Sequence, residues 1–221
     1  MKLVCQLRVK NEEKNIRRCL DNLLFVNHFC IVDNGSTDKT LEILKEYKNV
    51  TIEKTEGLHD GKDKKLALEM VKKLNPEWIL WMDADEVFEE KAKTELIKLL
   101  NNKVSGFCFR IFPFVNSKKY YRIDRNWKQF SENGQVRLFR NQSKIYWDDS
   151  IQYSGHSGMI KGLTGQVIKS DLRIKHYTIQ SLKEAIEKYN LYSLNSKKTL
   201  DRRTYEHLID DVDAVYKKWI E

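Results

Sequence analysis

At 221 residues and 26.3 kDa, the chain has the size of one domain, or one domain with a modest extension, since domains usually run to ~100–200 residues. Hydrophobic residues make up 41%, charged residues 33% and aromatic residues 11%, which excludes a disordered or fibrous chain even at a mean hydropathy of −0.62. The net charge of +8 fits a nucleic acid, an anionic membrane surface or a phosphate-bearing substrate equally well; its distribution says more, because residues 51–100 carry 9 basic against 12 acidic side chains and residues 101–150 carry 10 against 4.

Cys5, Cys19, Cys30 and Cys108 form no CxxC pair and read as buried free thiols in a reducing compartment. The apolar run after Lys2 is too short for a signal-peptide core. The longest apolar-rich stretch, residues 23–32, is broken by Asn27 and His28 and falls short of the ~20 residues a membrane span needs. These features predict a cytoplasmic protein, with peripheral membrane contact or a homodimer as possible roles for its C-terminal helices.

Residues 1–100 alternate strand-like and helix-like patterns, predicting an α/β domain with a largely parallel sheet and helices on both faces. Residues 2–9 read as a strand. Asn11 is expected to cap a helix carrying Ile16, Cys19, Leu20, Leu23 and Leu24 at 3/4 spacing, with Glu12 and Glu13 in its first turn. Strands follow at 28–33 and 50–54, with a turn at 34–38 whose Ser or Thr caps a helix through about 47. A loop containing Gly57 and Gly61 leads to a helix through 74, and Pro76 precedes a short buried strand at 78–82. A helix is predicted over 89–100. Thereafter short β-like runs at 106–114, 135–140, 143–147 and 166–174 suggest a β-rich second half, 101–178, and two amphipathic helices at 181–196 and 201–219 form a C-terminal extension, 179–221.

The strongest local feature is Asp83-Ala84-Asp85-Glu86, directly after an apolar strand. Ligands of open α/β sheets sit beyond the carboxyl ends of strands, where carboxylates at i and i+2 can share a hard divalent cation with phosphate oxygens. Alone, the same residues would make a solvated, helix-capping turn. The second feature is Val32-Asp33-Asn34-Gly35-Ser36-Thr37-Asp38: a strand-terminal carboxylate can accept hydrogen bonds from a nucleobase or ribose hydroxyl, while a plain strand-turn-helix connection is the bland alternative. The segment from Gly57 to Lys62 is one residue too short between its glycines for a phosphate-binding P-loop, and Asp63 stands where Ser or Thr should be.

Together with Arg8-Val9-Lys10-Asn11-Glu12-Glu13 and Lys62-Asp63-Lys64-Lys65-Leu66-Ala67-Leu68, these segments resemble glycosyltransferase family 2, the inverting sugar-nucleotide enzymes of the GT-A fold. Gln135-Val136-Arg137-Leu138-Phe139-Arg140 and Ile174-Lys175-His176-Tyr177 look like the branch that includes lipopolysaccharide-core glucosyltransferases. The resemblance implies that Lys10, Asn11, Glu13, Asp33 and Asp83 bind a nucleotide-sugar donor, with a UDP-hexose expected, and that Asp85, with Asp83 and His176, holds Mn²⁺ or Mg²⁺. Lys62 and Lys64 match basic positions that could touch the diphosphate, or they form a solvated helix face. His176 is either a ligand or an ordinary partly buried histidine.

Inversion also needs a general base. Where the branch leads one to expect a carboxylate-bearing triplet, the chain has Ile151-Gln152-Tyr153, so Asp148 and Asp149 are the nearest substitutes, with Glu132 behind them. Arg122, Arg125, Trp127 and Lys128 suit a sugar acceptor site, in which aromatic faces stack on pyranose rings and cations meet anionic groups. The residues 103–144 hold ten basic side chains against Asp124 and Glu132, so the expected acceptor is a glycan, glycolipid or other glycoconjugate, anionic in character. The competing readings are a nucleotidyltransferase and a basic nucleic-acid-binding module over 103–144; no nucleic acid is expected on the favoured one.

Overall fold

The computed structural model describes residues 2–56, 59–123, 132–147, 160–181, 183–186 and 214–221. Its centre is an eight-stranded sheet in the order β3-β2-β1-β4-β8-β6-β9-β5, built from β1 (Leu3–Val9), β2 (His28–Asp33), β3 (Val50–Lys54), β4 (Trp78–Trp81), β5 (Glu86–Phe88), β6 (Gly106–Val115), β8 (Gln135–Arg140) and β9 (Val167–Ile179). Strands β3, β2, β1 and β4 run parallel; β8 lies antiparallel to both β4 and β6, β9 is parallel to β6, and β5 antiparallel to β9. A separate two-stranded ribbon pairs β7 (Tyr120–Arg122) with β10 (Tyr216–Lys218). The expected mixed α/β architecture is present, and one sheet runs through both halves of the chain.

Period-2 alternation explains why both faces are covered. Cys5 and Leu7 of β1, Phe29 and Ile31 of β2, and Trp78 and Leu80 of β4 join one apolar cluster with residues of α1 (Ile16–Asn22), α2 (Thr40–Leu44) and α4 (Ala92–Leu99). Val4, Cys30, Val32, Ile79 and Trp81 point the other way, onto Ala67, Leu68 and Val71 of α3 (Asp60–Lys73). Cys5, Cys19 and Cys30 are buried free thiols, as expected, whereas Cys108 is free but only half-buried. Among the described residues no helix is long and apolar enough to cross a membrane.

Several boundaries differ from expectation. Asn11 does not cap α1: its backbone is left-handed, φ 55, and the helix starts only at Ile16 after Asn15. Asp38, not Ser36 or Thr37, accepts the hydrogen bond from the Thr40 N–H at the start of α2, at 2.9 Å. Gly61 lies inside α3 rather than in the loop before it. Glu86 to Phe88, read from sequence as part of the approach to a helix, is strand β5, and the helix after it begins three residues later than expected, at Ala92. Residues 143–147 contribute only a bridge between Tyr146 and Lys161. The predicted C-terminal helix ending at 219 is contradicted at its end, because Tyr216, Lys217 and Lys218 pair with β7 and Trp219 packs on Phe112, Phe114 and Tyr121. The rest of the two predicted helices falls almost wholly in residues 187–213, outside the described residues.

Candidate active site

Strand β1 leads to β2 on one side of it, and after β3 the chain crosses to place β4 on the other. This reversal makes the carboxyl edge between β1 and β4 the crevice in which open α/β sheets take ligands. Three loops meet there: Lys10 and Asn11 after β1, Asn34 to Asp38 after β2, and Met82 to Asp85 after β4.

The first two loops are tied together by short-range polar contacts. Asn11 donates its backbone N–H to Ser36 Oγ at 2.9 Å, and its Oδ1 accepts the Thr37 N–H at 2.8 Å. Glu13 N–H donates to Asp38 Oδ2 at 3.0 Å, and Glu13 Oε2 accepts the Lys39 N–H at 3.1 Å. Asn tolerates the left-handed backbone that this crossing demands. Asp33, buried at the end of β2, accepts the Ser36 N–H with both oxygens, at 3.3 and 3.2 Å, which holds the Gly35 turn. Lys10 Nζ reaches Asn34 Oδ1 at 3.5 Å, and the buried Asn34 amide donates to Asp63 at 2.9 Å.

Lysines 62 and 64 separate. Lys62 is exposed on α3; Lys64 is buried, paired with Asp60 at 3.2 Å and lying 4.6 Å from the Trp81 ring centre. The solvated-face alternative therefore describes Lys62, whereas Lys64 packs beside the last residue of β4.

The carboxylates after β4 each meet a cation supplied by the other half of the sheet. Asp83, half-buried, faces Arg137 at 3.2 Å through Oδ2. Asp85, buried, lies 3.2 Å from His176 Nε2, a contact created because β5 pairs with β9 in the register Glu86 to His176 and the Tyr177 N–H donates to the Asp85 carbonyl at 2.8 Å. Burial opposes a charged imidazole, but the Asp85 carboxylate, its hydrogen bond, and Glu86 and Asp83 outweigh it and raise His176 to about 9. In the metal-free protein this favours the protonated imidazole beside Asp85. Burial pushes against the Asp83 carboxylate as well, yet Arg137 and Lys64 hold its pKa below the ordinary value.

Arg137 and Glu86 went unread as functional residues. Arg137 stands between Val136 and Leu138 at the same strand parity as Phe139, a core side chain; a charged residue at core parity is the signal that could have found it. Burial raises Glu86 to about 7 against the opposing pull of Arg137.

Arg122 is buried in β7. Arg125, Trp127, Lys128, Asp148 and Asp149 lie outside the described residues. A cavity of about 640 Å³ opens between α1, β5 and β9, where Arg18, Phe88 and Tyr177 line it; of the expected donor residues it includes only Glu13. The three-loop edge, at which Asp33, Asp83 and Asp85 end or follow their strands, is the better candidate for the chemistry.

The model of the glycosyl transferase family 2 matches residues 8–168. No curated protein sequence matches the chain significantly. Among solved structures, residues 1–349 of S. aureus TarS in complex with UDP-GlcNAc superpose with a TM-score of 0.59 at 15% identity, over 95% of this chain and 70% of that one. The Pyrobaculum calidifontis mannosyltransferase PcManGT, in complex with GDP-Man and Mn²⁺, superposes with a TM-score of 0.52 at 13% identity, over 94% and 68%. At such identities the likeness is one of fold.

Proposed function

The chain belongs to glycosyltransferase family 2, and from that premise we propose that it moves a hexose from a UDP-sugar to a hydroxyl of a glycan or glycoconjugate acceptor, with inversion at the anomeric carbon. The observation that carries this reading is the placement of Asp33, Asp83 and Asp85 at the carboxyl ends of β2 and β4, the strands that flank β1, with Asp85 in contact with His176. TarS and PcManGT, which share the fold, are bound to UDP-GlcNAc and GDP-Man respectively. The likeness of residues 135–140 and 174–177 to the lipopolysaccharide-core branch supports a glycoconjugate acceptor.

In this reading Asn11, Glu13 and Asp33 form the nucleotide pocket, with Lys10 on its rim. Their hydrogen bonds to Ser36, Thr37, Asp38 and Lys39 set its shape before the donor arrives, so little ordering is required on binding. Asp83 faces the ribose and diphosphate. Among the described residues no group of three His, Cys, Asp or Glu side chains is gathered to hold a metal. Asp85, and His176 once it has given up its proton, would hold a cation that takes its remaining ligands from diphosphate oxygens and water, with the Asp83 carboxylate nearby. Mn²⁺ or Mg²⁺ held there would offset the charge growing on the departing nucleoside diphosphate.

The acceptor hydroxyl attacks the anomeric carbon opposite the leaving group while a base takes its proton. Asp148 and Asp149 are the proposed bases. Trp147, the residue before them, packs edge-on against Trp81 with ring centres 4.7 Å apart, so the chain enters this segment beside the carboxyl end of β4. Arg122, buried in β7, and Arg125, Trp127 and Lys128 are the proposed acceptor contacts.

A panel of nucleotide sugars, with and without Mn²⁺, tests the reading through protection against thermal unfolding. One UDP-sugar should stabilise the protein only with metal, by about 2.7 kcal/mol at a hundredfold excess over Kd, and Asp85→Ala should remove the effect. Silence toward every nucleotide would sink the proposal.

A further inference from the structure

Glu86 is fully buried and Arg137 is 3% exposed. Arg137 Nη2 bridges two carboxylates, Glu86 Oε1 at 2.5 Å and Asp83 Oδ2 at 3.2 Å. The other oxygen of Glu86 accepts the Asp83 backbone N–H at 3.0 Å, and the Asp83 carbonyl accepts the Glu86 N–H at 3.0 Å. The turn from Asp83 to Glu86 is thus closed twice, once through backbone and once through the buried pair. The guanidinium lies 3.8 Å over the Trp81 ring, and its Nε and Nη1 are buried without hydrogen-bond partners.

A device for stability alone would not be built this way. Burying an ion pair with two unpartnered N–H groups carries a desolvation cost that a well-packed apolar pair of similar volume avoids. What the pair does provide is direction. It fixes the backbone at Asp83, one of its carboxylate oxygens, and the start of β5, whose register sets His176 against Asp85.

We propose that Arg137 and Glu86 are the positioning residues of the donor site, holding the Asp83 to Glu86 turn in its diphosphate-binding form while the site is empty. Neither residue touches the donor. Arg137 acts through Asp83 by occupying Oδ2 and leaving Oδ1 for the ligand, and Glu86 acts through the Asp83 N–H. A lysine at 137 keeps the charge but carries it on a flexible stem, and it loses the planar guanidinium face that lies 3.8 Å over the Trp81 ring and sets the angle from which Nη2 reaches both carboxylates. The inference rests on the donor-site reading above.

The test is calorimetric titration of UDP and of GDP, each with Mn²⁺, into the full chain and into Arg137→Lys, Glu86→Gln and the double variant Arg137→Met/Glu86→Leu, alongside thermal midpoints without ligand. The single variants should bind the nucleoside diphosphate about tenfold or more weakly. The double variant, relieved of both buried charges, should recover the wild-type midpoint yet remain at least tenfold weaker in binding, a split that a purely structural pair would not produce. Wild-type affinity in the double variant, or in Arg137→Lys, would overturn the proposal while leaving the donor site intact. Failure of the wild-type protein to bind either nucleotide would instead overturn the donor-site reading and this inference with it.

Discussion

The two halves of the sheet bury polarity in opposite ways. At the parallel end, β1 to β3, the polar side chains of the loops are held mostly by groups of neighbouring loops: buried Asp33 by the Ser36 N–H, buried Asn34 by Thr55 and the Asp63 carboxylate, exposed Asn11 by Ser36 and Thr37. At the mixed end, carboxylates of residues 83–89 are held by cations from distant strands: Asp83 and Glu86 by Arg137, Asp85 by His176, and Glu89 by Arg173. Local bonds tolerate the loss of one member because water or a neighbour can replace it, whereas a buried charge that loses its partner does not find another. Substitutions should therefore be mild on one side and severe on the other.

The largest effect is expected at Asp85. Asp85→Ala removes the carboxylate proposed to hold the cation, and transfer should fall about 10²–10³-fold or more, the range seen when one group that stabilises transition-state charge is deleted. Turnover with the preferred UDP-sugar measures it. An Asp85→Ala enzyme of near-normal rate would show that the chemistry does not belong to the mixed end.

Next comes Glu89, buried and accepting the Arg173 backbone N–H at 2.9 Å as well as the guanidinium at 2.8 and 2.5 Å. Glu89→Gln should destabilise the fold by about 3 kcal/mol, because it leaves Arg173 without its counter-charge. Denaturant titration reads the loss directly, and a change under 1 kcal/mol would erase the contrast between the two ends.

A third effect is the pH dependence of the metal-free protein. The folded pKa of His176, about 9, lies above the ordinary value of 6.5, so the folded state binds the proton more tightly. The stabilisation is complete below about 6.5 and is lost as the pH rises through 9. Glu86, raised to about 7, acts in the same direction between its ordinary value of 4.5 and 7. Unfolding midpoints should fall between pH 6.5 and 9, and His176→Gln should flatten most of that slope; a slope unchanged in His176→Gln would place its origin elsewhere.

The same contrast explains what could be read from sequence. Strands β2, β3 and β8 have the bounds that alternation and turn residues predict, and Asp33, Asp83 and Asp85 fall at strand ends because an apolar run followed by carboxylates marks such an end locally. What eluded the sequence depends on register. Arg137 meets Glu86 across 51 residues through a strand pairing that no local pattern encodes, and His176 meets Asp85 across 91 residues, a pair that only the family resemblance brought together. Strand β5 is three residues long, too short for periodicity, and β10 with the tryptophan after it reads Tyr216, Lys217, Lys218 and Trp219, a spacing that suits an amphipathic helix equally well. Asn11 was expected as a helix cap because Asn caps helices; it serves a turn instead because Asn also accepts positive φ.

The smallest expected effect lies at that residue and tests the mild side of the contrast. Asn11→Ala deletes the acceptor for the Thr37 N–H and puts alanine at φ 55, whereas Asn11→Gly removes the same acceptor but relieves the backbone. If the β1 loop is shaped by both terms, Ala should cost about 1–2 kcal/mol, as loss of a side-chain cap does, and Gly measurably less. Each should raise KM for the nucleotide sugar more than it lowers kcat, because the loops shape a pocket that binds the nucleotide alike in the ground and transition states. Equal losses in kcat and kcat/KM would instead move Asn11 into the transition-state machinery and make the parallel end a partner in the chemistry.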